Sequence, residues 1–70
     1  MTATIQSIDH TPGSGLATLI CLDESGDIVR LHADAGPLFR AFSAARVNPS
    51  GTRIAYTLTD FSTIDTLEVL

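Results

Sequence analysis

Apolar and polar residues alternate most plainly late in the chain, where Ile54, Tyr56 and Leu58 occupy every second position between Ala55, Thr57 and Thr59. A period of two belongs to a strand with one buried face. Val29, Leu31 and Ala33 alternate in the same way with Ile28, Arg30 and His32. Leu16 to Leu22 is apolar on both faces and rich in branched side chains, which predicts a central strand covered on both sides. Ile64 to Leu70 is mixed, with Leu67 and Val69 sharing one face with Asp65, while Ile64 and Leu70 share the other with Glu68. In Thr2 to Asp9 the apolar residues Ile5 and Ile8 are three apart, which demands a bulge or a short strand.

One segment has helical spacing instead. Leu38, Ala41, Phe42 and Ala45 fall three and four apart and make one apolar stripe. Pro37 suits the first turn, with Asp34 or Gly36 as the cap. About ten residues is too short for a free helix, so this one must dock on the sheet. The breaks between elements are Thr11-Pro12-Gly13-Ser14-Gly15, Asp23-Glu24-Ser25-Gly26-Asp27, Asn48-Pro49-Ser50-Gly51 and Asp60-Phe61-Ser62. The second of these contains the Ser-Gly pair of a hairpin turn.

The expected fold is mainly β with one short helix: a single domain over 1–70, ordered β-β-β-α-β-β. That order is the one found in a small five-stranded OB-like barrel, whose helix bridges strands three and four. If the first run fails as a strand, the order becomes ββαββ and a β-grasp is the alternative.

Composition narrows the class. The 70 residues are 44% apolar and 17% charged, too apolar for disorder, and no run reaches the length of a membrane span. All four basic residues are arginines, and eight acids give a net charge of −4. Such a surface repels phosphate unless the arginines gather on one face. Arginine without lysine fits the codon usage of a GC-rich genome. The lone Cys21 makes no internal disulfide, and Met1-Thr2-Ala3-Thr4 has neither the basic start nor the apolar stretch of a secretory signal, so a cytoplasmic setting is expected.

The layout resembles a bacterial cold-shock domain, itself an OB barrel of about this length. Gly13-Ser14-Gly15-Leu16 stands where that family carries glycine-aromatic-glycine-aromatic, and Asp27-Ile28-Val29-Arg30-Leu31-His32 resembles its third strand, with the Asp-to-His spacing one residue longer. Phe39-Arg40 and Gly51-Thr52-Arg53-Ile54 match later landmarks. The resemblance implies single-stranded nucleic-acid binding through a face made by Ser14, Leu16, Val29, Leu31 and His32. The stacking rings are missing there: Ser14 and Leu16 replace two aromatics, and no Trp, Tyr or Phe precedes Phe39. Losing about four stacks at roughly 1 kcal/mol each would weaken binding about a thousandfold.

Other chemistry is sparse. His10 and His32 with Cys21, Asp9 or Asp34 lack the tight ligand spacing of a zinc site, so no metal or cofactor is expected. Cys21 lies among Leu19, Ile20 and Leu22, the opposite of the electropositive setting a reactive thiolate needs, so pairing with His32 as a nucleophile is not expected. Gly13-Ser14-Gly15 leads into a strand, whereas a phosphate cradle leads into a helix. Asp23, Glu24 and Asp27 make a solvated acidic turn without the ligand pattern of a calcium loop.

The expected function is therefore a non-catalytic interaction module that binds another protein or itself. Its expected surface is Ile28, Arg30, His32 and Arg53, since so small a barrel cannot hide all its apolar residues and arginine is enriched at interfaces. The alternatives are the cold-shock-like binding of single strands and, third, an acidic inhibitor of a DNA-binding protein, such as a phage or regulatory inhibitor.

Overall fold

The computed structural model describes residues 1–70. Its elements are β1 (Thr2–Asp9), β2 (Leu16–Asp23), β3 (Ile28–Asp34), α1 (Ala35–Ala45), β4 (Arg53–Leu58) and β5 (Ile64–Val69). The first run is a strand, so the ββαββ order does not arise. The five strands form one open antiparallel sheet in the order β3-β2-β1-β4-β5. Edge strand β3 meets the residues just before β5 at one isolated parallel bridge, His32 with Thr63, and the His32 N–H donates to the Ser62 carbonyl at 2.7 Å. A closed barrel carries a longer ladder along that seam. No helix is long and apolar enough to cross a membrane.

The middle strand, β1, resolves its irregular spacing with a bulge. Ile5 faces Cys21 and Ser7 faces Ile20, so Gln6 is the extra residue. Strict alternation would send Ile5 and Ile8 to opposite faces; the extra residue turns both toward the core. β5 has a second bulge. Thr57 faces Thr66 and Leu58 faces Ile64, which leaves Asp65 unpaired. Ile64 and Leu67 therefore both pack against the core, and the expected grouping of Asp65 with Leu67 and Val69 on one face does not hold.

Alternation elsewhere places side chains as expected. Ala3, Ile5, Ala17, Leu19, Cys21, Leu31, Ala33, Ile54 and Tyr56 are buried on the concave side, where Ala35, Leu38 and Phe42 of α1 cover them. β2 departs from expectation. It lies inside the sheet, yet only its inner face is covered, while Ile20 and Leu22 are half-buried and Leu16 is exposed on the other. A single helix can cover a single face, and the outer side has no second layer.

α1 follows the N-cap Asp34, whose side chain makes no cap bond; the Ala35 N–H donates instead to the Gly15 carbonyl at 2.9 Å. Pro37 sits in the first turn, where its missing N–H has no acceptor to lose. Leu38 and Phe42 hold the helix to the sheet, each contributing about 2–3 kcal/mol by burial, whereas Ala45, expected in the stripe, is exposed. At the other end Arg46 adopts the left-handed conformation, φ 56°. The Arg46 N–H then reaches the Ser43 carbonyl and the Val47 N–H the Phe42 carbonyl, the pairing that ends a helix on a glycine. An L side chain there costs about 1 kcal/mol, so Arg46→Gly is expected to raise the urea midpoint by a corresponding amount. A lowered midpoint would mean that the Arg46 side chain stabilises the fold by more than its backbone strain.

Candidate interaction surface

Strand register builds one broad outer face from residues far apart in the chain. Arg53, Thr4, Leu22 and Ile28 form a row across β4, β1, β2 and β3. With strands about 4.8 Å apart, the row spans roughly 14 Å. Beside it run Ser7, Ile20 and Arg30, then Asp9, Thr18 and His32, and finally the pair Leu16 and Asp34. All four residues expected as a binding surface, Ile28, Arg30, His32 and Arg53, share this face. Its apolar members are poorly covered: Ile28 is 65% exposed and Leu16 57%.

His32 is held from two sides. Its Nδ1 is 3.1 Å from the Thr18 hydroxyl, and its backbone N–H is bound to Ser62 in the β4–β5 turn. Asp60 shapes that turn. One carboxylate oxygen accepts the Ser62 and Thr63 N–H groups at 2.9 and 2.8 Å, and the other accepts the Thr63 hydroxyl at 3.2 Å. These backbone bonds hold the Asp60 carboxyl below the ordinary aspartate range, with the Thr63 hydroxyl and nearby His32 adding to the effect. Phe61, between Asp60 and Ser62, is fully exposed next to this seam. Phe61 falls in a turn of the sequence with no expected role in the surface, although an aromatic side chain at a polar turn is itself a signal.

The five residues implied by the cold-shock likeness do not come together. Val29 and Leu31 face the core, Ser14 lies in the β1–β2 loop with its hydroxyl against the Leu16 backbone, and only Leu16 and His32 reach the outer face. The pleat forces this split, because Val29 and Leu31 alternate with His32 along one strand. The aromatic rings are dispersed as well. Tyr56 is buried, Phe39 packs edge-on against His10 with ring centres 5.2 Å apart, and Phe61 stands alone in its turn.

Cys21 and His32 lie on opposite faces of the sheet, so the thiol has no imidazole beside it. Burial pushes the Cys21 thiol up to about 11. No three His, Cys, Asp or Glu side chains converge as metal ligands would. At the hairpin tip one Asp23 oxygen accepts the Ser25 and Asp27 N–H groups, both at 2.9 Å, so this carboxylate shapes the turn.

Comparison with protein families, with characterised proteins and with solved structures finds no match to this chain. The reading of its function therefore rests on its own residues and their arrangement.

Two outcomes follow from these environments. With its thiol near 11, Cys21 is ionised in about one molecule per thousand at pH 8 and is sealed in the core. A disulfide reagent such as dithionitrobenzoate is expected to react at the unfolding rate in buffer and at once in guanidinium; immediate reaction in buffer would contradict the buried site. Asp60 binds its proton more weakly when folded, so its contribution is complete above about pH 4 and is lost as pH falls through its lowered folded value. Asp60→Ala is expected to lower the melting temperature at pH 7, by an amount that shrinks below pH 4, and to speed hydrogen exchange at the His32 amide. Unchanged exchange there would separate Asp60 from the seam.

Proposed function

We propose that this chain is a non-catalytic interaction domain that binds a protein partner, a second copy included, through the outer face of β1, β2 and β3. One observation carries the reading: Ile28 and Leu16 stand exposed at either end of a face that also holds Arg30 and His32, with half-buried Ile20 and Leu22 between them. Exposed branched aliphatics on a sheet lose nothing of the fold when covered, and covering them recovers about 25 cal/mol per Å2. Arginine beside them supplies directional bonds that favour one partner over others. The fold we infer behind this face is OB-like, with β3 and β5 closing a small barrel at the His32–Thr63 bridge; the element order and the sheet order both support it.

Nucleic acid is the weaker reading. The face has no aromatic ring of its own, and Arg30, Arg53 and His32 are its only cationic or titratable basic groups on a chain of net charge −4.

Sedimentation velocity over the micromolar range tests the proposal. Association is expected for the native chain, or for a mixture with a partner recovered by crosslinking, and Ile28→Asp or Arg30→Glu is expected to weaken it about tenfold or more while leaving the melting temperature nearly unchanged. A strict monomer that crosslinks to nothing would overturn it, as would anisotropy showing salt-sensitive binding of short oligonucleotides in its place.

A further inference from the structure

Where β3 ends and α1 begins, a cavity of about 210 Å3 opens between the helix and β5. Its walls are apolar: Ala33, Leu38, Ala41, Ile64 and Leu67 line it. Two carboxylates line it as well, Asp34 and Asp65, and both are exposed. Asp34 ends the outward series Ile28, Arg30 and His32, where β3 gives way to α1 at the rim of the cavity. Asp34 occupies the helix N-cap without making the side-chain cap bond, which leaves its carboxylate free of the local backbone. Asp65 is the residue thrown out of the β4–β5 ladder by the bulge. The one parallel bridge, His32 with Thr63, holds the end of β3 against the chain entering β5, and Asp34 and Asp65 lie two residues beyond it on the two segments, both lining the cavity.

We infer that this groove takes an arginine side chain of a partner protein, its aliphatic stem against Leu38, Ala41, Ile64 and Leu67 and its guanidinium between Asp34 and Asp65. The inference does not require the outer face to bind a partner, although Asp34 borders that face beside Leu16. Apolar walls reward three methylenes, and two carboxylates at one mouth match a planar cation that donates in several directions. A bare divalent cation fits poorly, because calcium requires six to eight oxygens and most of this lining is hydrocarbon. A free polyamine would satisfy the charge, but its spaced ammonium groups leave the fork of two acids without a planar partner.

The test is an amide-resolved NMR titration of the full chain with a blocked leucyl-arginyl-leucine peptide, with the same peptide carrying citrulline, with spermidine and with calcium chloride. The arginine peptide is expected to shift Asp34, Leu38, Ile64 and Asp65 saturably, and the neutral citrulline peptide to bind about fivefold more weakly or worse. Asp34→Asn with Asp65→Asn, both at exposed positions, is expected to remove that preference while the remaining spectrum stays native. Equal binding of the citrulline peptide, tighter binding of spermidine or calcium, or no shift at these amides would each overturn the inference. Loss of self-association by Ile28→Asp leaves this titration unchanged, so the two proposals fail separately.

Discussion

One helix covers one face of one sheet, and the rest of the molecule follows from that limit. The core is a single cluster of twelve buried residues, four of them alanines, and Leu38 and Phe42 are its only large contributions from outside the sheet. To be covered at all by eleven helical residues, the five strands have to curl until β3 and β5 touch. The two bulges supply that curvature, since an extra residue bends and twists its strand locally. They also keep Ile8 and Ile64 turned inward, which a regular ladder would not do.

The same limit leaves the convex side without a second layer. Ile20, Leu22 and Ile28 fall there because strand alternation turns them outward from β2 and from the start of β3, and nothing in the chain is left to cover them. In a domain of 70 residues with so thin a core, each outward aliphatic is a side chain that contributes little to stability. The outward aliphatics are thus left in water at little cost to the fold. Asp34 and Asp65 have the same character, since neither carboxylate is used for the local structure in which it sits. Cys21 and Tyr56 are the contrary case: burial raises both of their proton affinities, and neither takes part in a surface.

Much of the fold was legible in the residues. The alternation of Val29, Leu31 and Ala33 with Ile28, Arg30 and His32 named both faces of β3, and the spacing of Leu38 and Phe42 named the buried stripe of α1. The three-residue gap between Ile5 and Ile8 called for a bulge or a short strand, and the structure has an eight-residue strand with a bulge at Gln6. Leu16 to Leu22 misled, because an apolar run is compatible with burial on both faces or with exposure of one, and only the number of covering layers decides between them. The set Ser14, Leu16, Val29, Leu31 and His32 came from a likeness of layout and ignored the pleat, which sends alternate residues to opposite sides.

Local order along the chain determined which residues form strands, which form the helix and which side of each element is apolar, because those properties depend on neighbours one to four positions away. What only the tertiary structure decided is which distant residues meet. Arg53 shares a row with Ile28, Phe61 stands next to the seam at His32, and Asp34 and Asp65 line one cavity because of strand register and the bulge in β5. Register is chosen by the core as a whole, through the packing of side chains from all five strands at once, and no window of adjacent residues contains that information.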